Sequence, residues 1–411
     1  MRFAYQHDNL ACDGAALADI AAAVGTPCYI YSAAAILDQF HAYDKAFDDT
    51  PHLVCYAVKA NGNLSILRLL AEAGAGFDIV SGGELYRVLH AGGDASKVAF
   101  SGAGKTADEM RYGLESGVGS FHCESAAEID LLAAVAEQLG RVAHAGLRVN
   151  PGVSAATHPY IATGLRSHKF GVDMADAAKI FEGARQHRSV KLDTVSFHIG
   201  SQLLDTQPIA EAVRDALELI RRLRGRGFAI ESLDIGGGLG VQQRPDDRAP
   251  NITEFVQAIC ALTAGLNLRI VVEPGRSIVA GAGLLVTRVL YRKQSGAKHF
   301  IVVDAAMNDL IRPSLYQAHH EVLPLRETTS HVVADLVGPV CETGDFFALD
   351  RLLPNAQPGD FLAIATAGAY GFAQASNYNG RPRPAEVLIE SDGSYRVVRE
   401  RETYADLIHG E

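Results

Sequence analysis

The six cysteines of this 411-residue sequence, at positions 12, 28, 55, 123, 260 and 341, include no C-x-x-C pair. Their spacing gives neither a zinc framework nor a disulfide scaffold, so reduced thiols in a cytoplasm are expected, and no metal site. The opening MRFAYQHDNL lacks the basic-then-apolar order of a secretion signal. The longest apolar stretch, SIVAGAGLLV, is too short to cross a bilayer, so neither export nor a membrane partner is expected. A nucleic-acid surface calls for clustered Lys and Arg, whereas the net charge is −11 and the pI about 5.8. No internal repeat, low-complexity tract or flexible linker occurs. A chain this long suits a barrel plus an appendage better than one ordinary domain.

From about residue 50 the sequence alternates short β-rich runs with longer amphipathic segments, the pattern of a parallel sheet covered by helices. Eight such runs are present: HLVCYAVK, GFDIVS, KVAFSG, GVGSFHCE, AGLRVN, DTVSFHIG, SLDIGGG and RIVVEPG. Eight is the number that closes a β/α barrel. Between them, Thr106 with Glu109 and Ser125 with Glu128 have capping-box spacing, and NLSILRLLAEAG ends its helical pattern at Gly74. PIAEAVRDALELIRRLRGRG reads as a helix whose basic end complements the helix dipole. After Glu273 the segments become β-rich with few helices, which predicts a second, mainly antiparallel β domain with a turn at SDGS. The expected division is a barrel over 26–275 and a β domain over 276–411, which the segment 1–25 joins through a small strand and turn in YQHDNLACDG.

Active sites of β/α barrels lie where the strands end, so the residues closing each run carry the chemistry. In VCYAVKANGN, Lys59 follows a run suited to a strand buried on both faces, where an unpaired ammonium is costly. The plain alternative is a lysine that reaches solvent along its stem; the chemical one is an amine kept for Schiff-base formation with an aldehyde. His198 closes the sixth run, Gly236, Gly237 and Gly238 the seventh, and Glu273, Gly275 and Arg276 follow the eighth in EPGR. The glycines of DIGGGLG let backbone N–H groups approach an anion, although such runs also serve simply as turns. No Gly-Lys-Ser/Thr follows, so the run is not a P-loop. An amine, a phosphate cradle, a flat histidine and a carboxylate on one barrel mouth suit pyridoxal 5′-phosphate. In that arrangement Glu273 would keep the ring nitrogen protonated, so that the ring stabilises a carbanion, and His198 would stack on the ring; alone, His198 could equally be a satisfied core histidine.

With YAVKAN, HIGSQ, GGGLG, EPGR, DAAMNDLIRPSLY, GPVCETGD and GAYG in this order, the sequence resembles the fold-type III pyridoxal phosphate decarboxylases, and among them the diaminopimelate decarboxylases, over nearly the whole chain. The resemblance implies that Lys59 carries the cofactor, that His198 stacks on it, and that Ser201, Gly236, Gly237, Gly238 and Gly240 lie near its phosphate. Gly275, Arg276 and Tyr370 would also contact the cofactor, and Glu273 would meet the ring nitrogen. It further implies that Arg276, Arg312, Tyr316 and Tyr370 contact the substrate, that Glu342 answers its distal ammonium, and that Cys341 is the acid near the reacting carbon. Thr343 departs from the serine expected after Cys-Glu but retains the hydroxyl.

The residues agree on the substrate class. A diamino dicarboxylic acid presents a zwitterion at the end that does not react, and two arginines with one glutamate answer both charges. The expected reaction is decarboxylation of meso-2,6-diaminopimelate to L-lysine and CO2, the final step of lysine biosynthesis, in a homodimer with shared sites. A decarboxylase of the same fold acting on carboxynorspermidine, ornithine or arginine is the alternative; a racemase would lack the CETGD segment, and a non-catalytic regulator would not need both Lys59 and Cys341.

Overall fold

The computed structural model describes residues 2–153 and 169–411. Eight parallel strands form a closed barrel: β1 (His52–Ala57), β2 (Gly76–Ile79), β3 (Val98–Phe100), β4 (Ser120–Cys123), β5 (Ala143–Asn150), β6 (Val190–Ser196), β7 (Ser232–Asp234) and β8 (Arg269–Val272). Each coincides with one of the eight β-rich runs. Closure comes from pairing of β8 with β1 and of β4 with β5. A two-residue strand, Val172–Asp173, adds to β5 outside the ring.

Local sequence sets the helix boundaries around the barrel. The Leu64–Glu72 helix begins where the Asn63 side chain accepts the Ser65 N–H and ends into Gly74, at φ +91°. Thr106 and Glu109 make the reciprocal capping box. The second expected box is only half formed. Ser125 accepts the Glu128 N–H, but the Glu128 carboxylate turns to the Glu124 N–H at 2.6 Å and to Lys105 at 2.7 Å, because a buried ammonium needs a counter-charge more than an exposed cap needs a second bond. At the end of the Gln207–Gly225 helix, Arg224 donates to the carbonyls of Ile230 and Leu266, so the basic end clamps the following loop as well as facing the dipole.

By compactness the chain divides into a barrel unit, Gln39–Val241 with Arg248–Ser277, and a β-rich unit holding the N-terminus to Asp38, Gln242–Asp247 and Ile278–Glu411. The sequence expectation began the barrel at residue 26. The structure instead places the strand Cys28–Ser32 in the β-rich unit, between Gly283–Ser295 (antiparallel) and Ala385–Ile389 (parallel). Its five residues are all buried, so hydrophobic pattern alone could not separate it from a barrel strand.

The remaining large sheet is mainly antiparallel, with Lys298–Val303 and His331–Val337 a second parallel pair. Glu386 lies fully buried in the strand Ala385–Ile389 and is answered by the Tyr31 hydroxyl at 2.7 Å and by Arg399. The first residues form a separate three-stranded sheet, Phe3–Gln6, Asn9–Cys12 and Ala15–Ala16, tied to the unit by the Leu10 N–H donating to Leu325 O.

Candidate active site

Strand β1 ends at Ala57 and the chain enters a single 3-10 turn, Val58–Ala60, that carries Lys59 out over the strand ends. Two contacts fix that turn. The Ala57 N–H donates to Pro274 O at 3.1 Å, and a Cβ on Gly275 would lie 2.9 Å from the Ala60 Cβ and 3.0 Å from the Ala57 Cβ. The glycine of EPGR thus lets the exit of β8 lie against the lysine turn. The Lys59 side chain is 37% exposed, and its Nζ forms an ion pair with Asp78 of β2, whose side chain is fully buried. Asp78 was not singled out from sequence. An acid inside a buried strand calls for a cation, the argument already applied to Lys59.

Lys59 opens onto a cavity of about 390 Å³ whose walls include Ser101, His122, Arg148, Phe170, His198, Asp234 and Glu273. His198 accepts the Gly237 N–H at Nδ1, at 3.2 Å, which leaves its own proton on Nε2. Burial, helped by the Arg148 and Lys59 cations, pushes its pKa well below the usual imidazole range, so the ring is neutral and flat. Arg148 is anchored by Glu124 at 2.8 Å and lies over the Phe170 ring.

Glu273 leaves the end of β8, its N–H donating to Gly236 O at 2.8 Å and its Oε1 accepting from the Ser101 hydroxyl at 3.3 Å. Burial and the nearby Asp78 raise its pKa to about 7, against the pull of Lys59 and Arg148. Asp234, at the end of β7, accepts the Gly236 N–H at 2.8 Å; burial and then Glu273 raise its pKa well above the carboxylate range. Burial lowers His122 to about 3. His122, Asp234 and Glu273 each offer a ligand atom within 4.8 Å of the others.

The glycine run is explained by crowding as much as by anion binding. A Cβ at Gly237 would lie 2.2 Å from Glu273 O, one at Gly238 2.2 Å from Gly200 O, and one at Gly236 2.6 Å from Phe197 O. The N–H groups of Gly236, Gly237 and Gly240 donate to Asp234, His198 and Leu203 O. Of the four glycines in the expected cradle, only Gly238 has a backbone donor with no acceptor among the described residues. Ser201 accepts from Arg276 Nε at 3.3 Å and Nη2 at 3.0 Å, which brings HIGSQ and EPGR together.

The structure thus gathers Lys59, His198, Ser201, the glycines, Glu273, Gly275 and Arg276 on the barrel unit, while Arg312, Tyr316, Cys341, Glu342 and Tyr370 belong to the β-rich unit. In that unit Arg312 is buried at the start of the short helix Arg312–Tyr316, and Tyr316 receives a hydrogen bond from Gln374 at 3.3 Å. Tyr370 has a left-handed backbone, φ +57°. The CETGD loop turns about Asp345, whose two carboxylate oxygens accept the N–H groups of Met307 at 2.7 Å and Val340 at 2.6 Å. Cys341 and Glu342 are exposed beyond it, with Glu342 accepting from the Tyr378 hydroxyl at 2.6 Å. Asp345 serves as the post on which the loop is bent.

Comparison with known proteins gives the following. The family described as pyridoxal-dependent decarboxylase, pyridoxal binding domain, matches residues 33–280. A diaminopimelate decarboxylase of Pseudomonas aeruginosa is 51% identical over 410 residues, covering 100% of this chain and 98% of its own. One of Aquifex aeolicus is 47% identical over 401 residues, covering 97% and 95%. Among solved structures, a diaminopimelate decarboxylase from Helicobacter pylori complexed with L-lysine superposes with a TM-score of 0.92 at 41% identity, covering 95% of this chain and 98% of that one. The M. jannaschii enzyme in co-complex with L-lysine gives 0.94 at 36% identity, covering 99% and 96%.

Proposed function

This chain belongs to the pyridoxal-dependent decarboxylases, and within them to the diaminopimelate decarboxylases; from that premise we propose the roles of its residues. It is a pyridoxal 5′-phosphate-dependent carboxy-lyase that converts meso-2,6-diaminopimelate to L-lysine and CO2. The observation that carries the reading is the set of groups on one cavity: the Lys59 amine beside buried Asp78, neutral His198, and Glu273 below them.

The cofactor fits this site. An amine at the mouth can bind its aldehyde, and Gly238 N–H with Arg276 and Ser201 supply donors for a phosphate. When bound, pyridoxal phosphate supplies an electron sink for the pair left on the substrate's Cα as CO2 departs. Glu273 would hold a proton at the ring nitrogen, and neutral His198 would stack on the ring without adding charge. Arg276, Arg312, Tyr316 and Tyr370 hold the substrate, the arginines at its distal carboxylate, and Glu342 meets its distal ammonium. Cys341 supplies the proton to Cα.

The groups on the β-rich unit serve the barrel of a second copy in a two-fold dimer, each interface repeating the other's contacts. The exposure of Cys341 and Glu342 supports this. A cytoplasmic setting is supported by six free cysteines, and among the described residues no helix is long and apolar enough to cross a membrane. The test is CO2 release from meso-diaminopimelate, L-lysine, ornithine, arginine and carboxynorspermidine. Release from the first alone is expected; preferential release from ornithine, arginine or carboxynorspermidine overturns the substrate assignment.

A further inference from the structure

The turn Tyr378–Gly380 reaches the CETGD loop and bonds to both of its chemical residues. The Tyr378 hydroxyl donates to Glu342 Oε2 at 2.6 Å, and the Asn379 side-chain oxygen accepts the Cys341 N–H at 3.3 Å. Asn379 has a left-handed backbone, φ +59°, and Gly380 follows at φ +63°, a conformation that asparagine and glycine tolerate best. The turn is anchored within its own unit on both sides. Before it, the Ser376 N–H donates to Asn308 O at 2.9 Å and the Asn377 amide to Glu402 Oε2 at 2.6 Å. After it, Arg381 donates to Asn308 Oδ1 at 3.1 Å and to Asp304 O at 2.6 Å. The backbone under Tyr378 is thus fixed without help from the hydroxyl.

Glu342 is an exposed carboxylate with a single donor. Oε2 takes the tyrosine; among the described residues Oε1 accepts no hydrogen bond, and neither oxygen forms an ion pair. The chemistry of that one donor matters. An arginine or lysine there would fix the carboxylate but neutralise it, whereas a phenol at 2.6 Å makes a short charge-assisted bond and leaves the negative charge in place. The phenol also keeps its proton, because the bond to Glu342 and that carboxylate's charge raise its pKa above the usual tyrosine value.

We propose that Tyr378 is a positioning residue for substrate selection: it ties down Oε2 of Glu342 and so presents Oε1, with its charge undiminished, to an alkylammonium of the substrate. The proposal rests on the reading that Glu342 answers the distal ammonium. A contact at the end that does not react is made equally before and during bond cleavage, so it belongs to KM and not to kcat. Removing the hydroxyl leaves the Asn379 bond to Cys341 intact, so the acid keeps its place.

The experiment is a double-mutant cycle on the cofactor-loaded enzyme, with Tyr378→Phe, Glu342→Ala and the two combined, read as CO2 release from meso-diaminopimelate. Tyr378 is 46% exposed and phenylalanine removes only its hydroxyl, so the fold is kept. Tyr378→Phe should lower kcat/KM by about tenfold or more, as for one hydrogen bond to a charged group, through KM alone. In the Glu342→Ala background the same change should alter kcat/KM by less than about twofold, since its route to the substrate is gone. An unchanged KM in Tyr378→Phe, a fall carried by kcat, or an equal further loss on top of Glu342→Ala overturns the proposal.

Binding of L-lysine gives a readout without turnover, because the product keeps the ammonium and carboxylate of the end that did not react. Its dissociation constant, measured by calorimetry, should rise about tenfold or more in Tyr378→Phe. Unchanged affinity overturns the proposal. Loss of activity and lysine affinity in Glu342→Ala but not in Tyr378→Phe removes the role of Tyr378 alone. Wild-type behaviour of Glu342→Ala removes Glu342 from the substrate, and Tyr378 with it.

Discussion

Replacing Asp345 with alanine should collapse the loop that displays Cys341 and Glu342. Its carboxylate accepts two backbone N–H groups, from Met307 and Val340, both in the small buried cluster of Ala306, Met307 and Val340. A buried N–H that loses its acceptor costs about 1–3 kcal/mol, so the alanine variant should lose roughly 2–6 kcal/mol. Asparagine can restore only one of the two, because its amide nitrogen meets the second N–H donor to donor; its loss should be about 1–3 kcal/mol. In a unit of this size each kcal/mol lowers Tm by about 2–4 °C, giving roughly 4–24 °C for alanine and about half that for asparagine. A misplacement of about 1 Å at Cys341 should lower kcat/KM roughly 100-fold. Thermal unfolding of wild type, Asp345→Asn and Asp345→Ala, with steady-state CO2 release, measures both effects. A Tm for the alanine variant within about 1 °C of wild type, with kcat/KM unchanged, would refute the reasoning.

Borohydride reduction of the loaded enzyme should fix the cofactor covalently to Lys59, with peptide mapping as the check; label on another lysine removes Lys59 from its role. Lys59→Ala and Cys341→Ala homodimers should each be nearly inactive, the second by ~10²- to 10⁴-fold as for a lost general acid. Refolded together, about half the dimers should be mixed, each with one intact site, restoring about a quarter of wild-type activity by symmetry. A fully mixed population without recovery would place both residues in one chain's site. Asp309, buried and raised to about 7, binds its proton more tightly folded than unfolded. Its contribution is present at low pH and lost as pH rises toward about 7, a difference of up to roughly 4 kcal/mol that Asp309→Asn should abolish. Denaturant titrations of both proteins from pH 4 to 8 would measure it; parallel curves contradict the assignment.

The alternation of short β-rich runs with amphipathic segments determined the barrel, because a parallel strand buried on both faces has an unmistakable composition and a fixed count closes the ring. The strand-closing positions likewise placed Lys59, His198, Glu273 and the glycine run on one mouth before any coordinates. The strand Cys28–Ser32 was assigned to the wrong unit because composition states that a strand is buried, and only pairing states against what. Asp78 and Asp234 interrupt GFDIVS and SLDIGGG as conspicuously as Lys59 follows VCYAV, so the desolvation argument would have found them too. What that argument could not supply was the partner: Asp78 answers Lys59 from the next strand, whereas Asp234 meets a second acid. Nor could it show that Gly236, Gly237 and Gly240 spend their N–H groups inside the chain, or that Asp345 bends a loop. Composition and spacing register the burial of a polar group; which charge, donor or backbone lies opposite depends on strand order and register, and those exist only once the chain has folded.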